Sequence, residues 1–241
     1  LGARARLPPP IGGALSSPPK VEGLGADRWQ PAVASFAQAA QSPIATPPRA
    51  LLCDARDLSR ALPHDHYDLV ITSPPYPNRM SYVRELRPYM YWLGFLQDGR
   101  QAGELDWQAI GGTWGIATSN VAKWQPNGDA PLAIPDLADT LAAIARQSDL
   151  LARYVHKYVV DMATHCQDLF AIVKPGGAIH YVVGNSTFYG VLLPTERIFA
   201  ALFAAAGFDN IDIRLLRKRT SKKELFEYLV SARKPDPTGR V

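Results

Sequence analysis

The sequence is poor in cysteine and has no long uninterrupted apolar run. Its only cysteines, Cys53 and Cys166, lie in apolar periodic segments, which predicts two buried thiols rather than a disulfide framework. The longest apolar candidate, residues 199–208, is far shorter than the ~18 residues of a membrane span. No series of basic, apolar and small residues marks a signal peptide. These absences favour a globular protein of the reducing cytoplasm.

Proline and basic charge are the two features in excess. Nine of the 21 prolines fall within the first 48 residues, a density that blocks helices and sheet ladders alike. The sequence therefore predicts an extended arm or linker over residues 1–49, interrupted by one short helix at about 32–40, and a second domain over residues 50–241. The formal net charge of +4 leans weakly towards a polyanionic partner.

From residue 50 onward, strand-like and helix-like segments alternate. Apolar runs predict strands at 51–53, 68–73, 178–183, 211–216 and 225–230. Helical spacing of apolar residues predicts helices at 80–96, which Pro88 should kink or split, at about 137–169 with a break near 147–149, and at 196–206. Residues 97–135 are expected to form an irregular insert. The order predicts an α/β fold with a mainly parallel sheet covered on both faces.

The stretch DLVITSPPY, residues 68–76, ends a buried strand on a polar and stiff corner. Pro74 and Pro75 remove two backbone donors and fix two φ angles, so their carbonyls can face a cleft at the carboxyl edge of the sheet. Ser73 adds a hydroxyl and Tyr76 a flat aromatic face. Together they suit a planar ring with an exocyclic amine: the tyrosine stacks, and the serine oxygen and the Pro74 carbonyl accept the amine hydrogens. A simple turn after a strand is the alternative.

This stretch resembles the catalytic motif of the amino-DNA methyltransferases, which use S-adenosylmethionine to methylate N4 of cytosine or N6 of adenine. The resemblance extends over roughly residues 50–232, through IVKPGGAIHYVVGN (172–185) and the segment PTERIFAALFAAAGFDNIDIRLLRKR that follows. It implies a Rossmann-like class I sheet, mostly parallel with an antiparallel C-terminal strand pair. It also implies catalytic roles for Ser73, Pro74, Pro75 and Tyr76. With serine in its first position, the motif resembles that of the cytosine-N4 branch of the family.

The same resemblance places the cofactor at Asp54, in the stretch LLCDARDL, with Ala55 beside it. In the family, an acid at this position contacts the adenine of S-adenosylmethionine. The family's glycine-rich cofactor loop, of the type Asp-Pro-Phe-x-Gly-x-Gly, has no counterpart here. The best substitute, VVGNSTFYG at 182–190, is better interpreted as the end of the fifth strand of the family's sheet.

Several basic and aromatic residues are candidates for nucleic-acid contacts. Arg79, Tyr82 and Arg84 follow the proline corner and could hold a phosphate or a flipped base, or could simply form a solvated helix face. The basic run near the final strands suits DNA phosphates as well as a solvated edge; its candidates are Arg217, Lys218, Arg219, Lys222 and Lys223. The tryptophans of the insert could pack a small core or read DNA sequence. The five histidines have no metal-ligand spacing, which argues against a zinc site.

Three functions remain open from the sequence. The leading hypothesis is a DNA amino-methyltransferase that flips its target base, with cytosine favoured, into the cleft. The second is a methyltransferase acting on RNA or on other amines. The third is a nucleic-acid-binding remnant that has lost its cofactor loop and its activity.

The missing loop leads to a prediction about partners. The family's fold has two further strands between those ending at Asp54 and Ser73, and they carry the glycine loop and the acid that holds the cofactor ribose. Residues 1–49 have too many prolines and too few apolar runs to supply them. We therefore expect these strands to come from upstream sequence or from a partner chain. The present chain alone should bind the cofactor weakly or not at all.

Overall fold

The structure is a computed structural model that describes residues 26–41, 48–126, 134–219 and 224–237. It divides into two compact units at residues 51 and 52. The described part of the first unit contains helix α1, Ala26–Ala40. This helix is longer than the predicted 32–40, because the chain continues helically through Pro31. A proline removes one backbone bond and can kink a helix without ending it.

The second unit contains a four-stranded mixed sheet whose order is β1–β2–β6–β5. Its strands are β1 (Tyr67–Thr72), β2 (Val173–Gly184), β5 (Asp209–Lys218) and β6 (Phe226–Arg233). β1 and β2 are parallel, whereas β6 runs antiparallel to both β2 and β5. The predicted antiparallel C-terminal pair is therefore confirmed. The expected predominance of parallel pairs is not found, because only β1 and β2 run parallel among the described strands of this sheet.

Two helices bury one face of this sheet. α7 (Asp149–Ile172) and α8 (Thr195–Ala206) pack against alternate residues of the central strands. The buried strand residues are Ile179, Tyr181, Val183, Val230 and Ala232. Their two-residue period places them on one face, where they meet the apolar stripes of the helices. Ser148 caps α7 by accepting a bond from the Leu151 amide, and Gly207, with φ of 103°, ends α8.

The opposite face of the sheet is open within the described residues, contrary to the expected cover on both faces. Leu69 and Ile71 of β1 point to this side and are 51% and 69% exposed. β1 is also an edge strand. Parallel strands are ordinarily buried on both faces, and β1 departs from this rule within the described residues. None of the described helices is long and apolar enough to cross a membrane.

The expected strand at residues 51–53 does not form. Leu51 and Leu52 are exposed and unpaired with any described strand, and the Cys53 thiol is exposed rather than buried. Short apolar runs adopt strand geometry only when a neighbouring strand completes the ladder, and the described residues offer none here. Cys166 is buried, as expected. Leu58–Ala61 forms the short helix α2.

The segment predicted to be irregular contains two helices, α4 (Gly99–Gln108) and α5 (Ile116–Lys123). The buried Asp106 carboxylate orders this region. Its oxygens accept bonds from the Ser81 hydroxyl at 2.5 Å and from the Trp114 amide at 2.7 Å. Both helices are short and separated by glycines, so their apolar period is too brief to stand out in the sequence. α6 (Leu137–Ala145) follows, before α7.

The helix after the proline corner leaves much of its apolar surface exposed. α3 (Tyr82–Trp92) continues through Pro88 without splitting. Its large apolar side chains recur at helical intervals, and those that are exposed include Tyr82, Leu86, Tyr89, Trp92 and Leu93. Within the part of the chain that the structure describes, a small cluster around Val83, Leu96 and Ala102 packs on its other side. The face is far more apolar than a solvated helix requires.

The β2–α8 connection is a hairpin. β3 (Ser186–Phe188) pairs antiparallel with β4 (Val191–Leu193). Tyr189 and Gly190 both have positive φ, of 50° and 83°, as a two-residue hairpin turn requires. The stretch 182–190 therefore ends a strand and enters a hairpin. It lacks the strand–loop–helix geometry of a phosphate-binding turn.

Candidate functional site: the proline corner

The proline corner lies where β1 ends, beside the carboxyl end of β2. Ser73 follows Thr72 directly, and its hydroxyl donates to the Val182 carbonyl at 3.2 Å. Ser73 is exposed to solvent, whereas Pro74 is buried. A hydroxyl that donates its single proton keeps oxygen lone pairs that can accept hydrogen bonds. Ser73 is thus an accessible acceptor at the carboxyl edge of two parallel strands.

The half-buried Tyr76 ring lies over Gly184, the last residue of β2. A methyl group on Gly184 would stand 2.8 Å and 2.9 Å from two ring carbons, Cε2 and Cδ2. The tyrosine oxygen lies 3.5 Å from the Ser73 hydroxyl and donates to Glu227 Oε1 at 3.4 Å. The absence of a side chain at position 184 therefore lets the ring settle against the strand end. This close approach is the reason that a glycine is needed there.

Charged residues of the C-terminal hairpin surround the tyrosine. Arg217 Nε donates to Glu227 Oε2 at 2.5 Å, and this bond holds the pKa of the Glu227 carboxyl below its usual value. Burial raises the pKa of Tyr76, so its phenol stays neutral at physiological pH. The Arg219 guanidinium carbon lies 5.4 Å from the centre of the Tyr76 ring, within the range of a cation–π contact. Arg219 also donates to the Asn185 carbonyl.

One stripe of α7 holds both the proline corner and the segment around Asp54. The Tyr158 hydroxyl donates to the Pro75 carbonyl at 2.8 Å. One turn further on, Asp161 accepts from Arg56 at 3.1 Å. Three residues of helix rise only ~4.5 Å, so the Asp54 segment and the corner lie close together along the same helix. The stripe continues with bonds from His165 to Ala55 and from Ser59 to Asp168.

The predicted cofactor residues are held tightly on this scaffold. The Asp54 carboxylate accepts bonds from the Arg56 amide, Nε and Nη2 at 2.9, 3.0 and 2.8 Å. These bonds hold the pKa of Asp54 below its usual value, so the group is anionic at neutral pH. The Ala55 carbonyl accepts from His165 Nδ1 at 2.6 Å. About half of the Asp54 side chain, 48%, remains exposed, which leaves it accessible to a ligand.

The described residues fit only part of a nucleotide-type cofactor. They supply one exposed carboxylate and the carboxyl edge of a parallel pair. No glycine-rich turn follows a strand and opens a helix within the four described ranges, since the stretch at 182–190 forms a hairpin.

The basic candidates after the corner have different surroundings. Arg79 adopts a left-handed φ of 62°, and its amide donates to the Tyr154 hydroxyl at 3.2 Å. Tyr82 is 48% exposed at the start of α3. The Arg84 guanidinium pairs with the adjacent Glu85 at 2.8 Å, which neutralises much of its charge. All three residues are exposed, and their contact with a nucleic acid stays a prediction.

Of the basic hairpin candidates, Arg219 lies at the corner itself. Arg217 pairs with Glu227, and Lys218 pairs with Glu224 at 2.9 Å. The predicted candidates Lys222 and Lys223 lie outside the described residues. The structure thus brings one of the five hairpin candidates onto the Tyr76 ring and places two in ion pairs beside it.

Five residues near the predicted site were not identified from the sequence. Arg56, Tyr158, Gly184, Asn185 and Glu227 all contact or support the predicted site residues. One of them gave a usable signal. Asn185 is a polar residue directly after a buried strand, at the carboxyl edge where ligands bind. Tyr158 sits in a helical apolar pattern and is indistinguishable from a core residue.

Comparison with known proteins gives matches among solved structures only. No known family model matches the chain, and no curated protein matches it. A candidate DNA modification methylase from Thermus thermophilus, solved in its selenomethionine form, is 17% identical with a TM-score of 0.38, over 76% of this chain and 50% of that chain. A second structure of it gives 17%, a TM-score of 0.39, and 79% and 55% coverage.

The same bacterial protein has also been crystallised in complex with S-adenosyl-L-methionine. That structure is 19% identical to this chain, with a TM-score of 0.39, over 78% of this chain and 56% of that one. The present chain therefore spans about half the length of the solved structures it matches.

Proposed function

We propose that this chain is the catalytic part of an S-adenosylmethionine-dependent methyltransferase that acts on the exocyclic amine of a DNA base. The observation that carries the proposal is the corner itself. An accessible serine oxygen and a neutral tyrosine ring flank the two prolines at the carboxyl edge of parallel strands. The likeness of DLVITSPPY to the amino-methyltransferase motif supports the same conclusion.

In the proposed reaction, the chain's own residues prepare the amine for attack. The Tyr76 ring stacks on the extruded base. The Ser73 oxygen and the Pro74 carbonyl each accept one hydrogen bond from the amine. These two hydrogen bonds pull the nitrogen towards tetrahedral geometry and localise its lone pair. S-adenosylmethionine supplies the electrophilic methyl group when it is bound. The Asp54 carboxylate, held anionic by Arg56, is proposed to orient the cofactor's adenosine.

Cytosine N4 is the proposed target, with adenine N6 as the alternative. The proposal rests on serine in the first motif position, which is similar to the cytosine branch. Basic residues around the corner support a nucleic acid as substrate. The Arg79 guanidinium has no ion pair among the described residues, and Arg219 lies over the tyrosine ring. Such cations could neutralise the phosphates that flank an extruded base.

We further propose that the remainder of the cofactor site comes from upstream sequence or a partner chain. Two observations support this proposal. Among the described residues, one edge of β1 has no partner strand, and Leu69 and Ile71 leave its second face bare. A parallel strand beside β1, with a helix covering those two side chains, would complete a Rossmann-like class I sheet and bury both surfaces. The isolated chain should then be marginally stable, and in calorimetric titration it should bind S-adenosylmethionine weakly or not at all. Tight binding by these residues alone would contradict the proposal.

Substrate class is tested by radiolabelled methyl transfer with the complete enzyme, which is this chain together with the proposed upstream sequence or partner chain. Unmethylated DNA, tRNA and ribosomal RNA are compared under one condition, and labelled DNA is digested to identify the modified nucleoside. Label in N4-methylcytosine supports the proposal, whereas label confined to either RNA favours the RNA enzyme. A non-catalytic remnant would bind DNA with strong salt dependence and would bind no cofactor even in the complete assembly.

A further inference from the structure

The proline corner, residues 73–79, forms few backbone hydrogen bonds of its own. Residues 73–79 include Pro74, Pro75 and Pro77, none of which has an amide proton. Within the loop, one backbone bond is formed, from the Asn78 amide to the Tyr76 carbonyl at 2.8 Å. A segment that must hold two acceptors and a stacking ring in one geometry therefore depends on bonds from elsewhere.

Two buried phenols of α7 supply those bonds. The Tyr158 hydroxyl donates to the Pro75 carbonyl at 2.8 Å, and the Tyr154 hydroxyl accepts from the Arg79 amide at 3.2 Å. Both side chains are 2% exposed. They are four residues apart on one helix, so they stand side by side on the same face. Gly111 packs against them, since a methyl group there would lie 3.6 Å from the Tyr154 oxygen.

The Tyr158 hydrogen bond acts on the one soft backbone torsion between the Pro74 carbonyl and the Tyr76 amide. The proline rings fix φ at Pro74 and Pro75, and the peptide bonds are planar. Rotation about ψ of Pro75 therefore decides where the Tyr76 backbone goes. Because that rotation also swings the Pro75 carbonyl, a bond to this oxygen locks the torsion. The phenols are not simply space-filling, since their hydroxyls reach backbone groups at both ends of the loop.

The chemistry of the two phenols suits a permanent clamp. Burial raises the pKa of Tyr154 to about 12 and the pKa of Tyr158 well above its usual value. Both therefore remain protonated throughout the pH range in which such an enzyme works. Arg79 is held in a left-handed backbone conformation, which is energetically costly for a residue other than glycine. The hydrogen bond from its amide to the Tyr154 hydroxyl offsets part of this cost.

We propose that Tyr158 and Tyr154 are positioning residues that clamp the proline corner, fixing the Pro74 carbonyl and the Tyr76 ring relative to the target amine. The proposal rests on the proposed methyltransferase function of the corner. Neither phenol touches the base; each acts through the backbone of residues 75–79. The clamp assigns a role in the reaction to two residues that sequence patterns identify only as core.

The test uses Tyr158→Phe and Tyr154→Phe in the complete enzyme. Each change removes one hydroxyl and keeps the packing ring. Tyr158→Phe should lower kcat for methyl transfer about 10- to 100-fold, since a displaced reacting group can cost that much. The apparent KM for DNA should change less than about threefold. Tyr154→Phe should act in the same direction with a smaller effect. Amide exchange in residues 76–84 should accelerate in both variants.

A matched control separates positioning from loss of stability. Ser231→Ala removes a bond of 2.7 Å to His180 in the sheet, away from the loop. It should lower the unfolding midpoint about as much as the phenol variants and leave kcat unchanged. A Tyr158→Phe enzyme with kcat within twofold of wild type, or with unchanged amide exchange, overturns the clamp while the methyltransferase function stands. A wild-type enzyme that methylates no nucleic-acid amine overturns the underlying function and the clamp with it.

Discussion

Replacing Gly184 with alanine is expected to disable the proline corner with little damage to the fold. The new methyl group would stand 2.8 Å and 2.9 Å from two carbons of the Tyr76 ring, and 3.0 Å from the Arg219 guanidinium carbon. Carbon atoms in contact are ordinarily about 3.5–4.0 Å apart, so the ring must retreat by roughly 0.6–1.2 Å. The half-buried ring can move outward, whereas the strand beneath it is fixed by the sheet.

The displacement sets the expected magnitude. A misplacement of ~1 Å in a reacting constellation can cost about 100-fold in rate, equivalent to ~2.7 kcal/mol of transition-state stabilisation. Overpacking of a site that can partly relax should cost about 1–3 kcal/mol of folding stability at most. Tyr76 would also lose its bond to Glu227, because that contact, at 3.4 Å, has no slack.

The assay is single-turnover transfer of radiolabelled methyl to DNA by the complete enzyme. Gly99→Ala is the matched control, since a methyl group at Gly99, the first residue of α4, meets nothing within 4 Å. The control should retain full activity, and both variants should remain folded by circular dichroism. Activity of Gly184→Ala within twofold of the control would refute the view that Tyr76 must rest against the strand end.

Three further changes probe other parts of the account. Asn185→Ala should lower the free energy of unfolding, measured with denaturant, by about 1–3 kcal/mol. The Phe226 amide, which donates to the Asn185 side chain at 2.8 Å, would lose its hydrogen-bond acceptor. An unchanged free energy of unfolding would contradict this expectation. Burial lowers the pKa of His165 in the folded chain. Below pH ~6.5 the imidazole is therefore protonated more readily in the unfolded chain than in the folded one, which favours unfolding. Wild-type stability should therefore fall between pH 7 and 5 more steeply than that of His165→Gln, and parallel curves would contradict it. Ile71→Lys should change the stability of the isolated chain by less than ~0.5 kcal/mol, yet abolish assembly with the proposed partner chain in size-exclusion chromatography; intact assembly would argue against a partner strand beside β1.

The strands and helices with strong periods were predictable from the sequence. β1, α7, α8 and the final strand pair occupy nearly their expected positions, because each has a continuous apolar period and a clear stop signal. The helix expected at 196–206 ends at Gly207, directly after its last predicted residue. Elements whose form depends on neighbours were not predictable. The run at 51–53 is as apolar as a strand, yet it stays unpaired among the described residues.

The sequence identifies the candidate residues of the proline corner but not the residues that support them. The string SPPY is local, so its chemistry can be inferred from a few adjacent residues. Its supports come from distant positions, such as Tyr158 on α7 and Gly184 at the end of β2. Their side chains meet the corner only after the sheet and helices have assembled. The ion pairs of Arg217 and Lys218 also depend on pairing between β5 and β6, which brings glutamates beside them.

Methyl transfer to a base amine is proposed to depend on Ser73 and Tyr76. Its most direct test is transfer of radiolabelled methyl to unmethylated DNA by the complete enzyme, in wild type, Ser73→Ala and Tyr76→Ala, with nucleoside analysis of the product. Both side chains lie on the accessible side of the corner, so both variants should fold. We expect wild-type enzyme to produce N4-methylcytosine and both variants to produce almost none. Full activity in both variants would contradict the account.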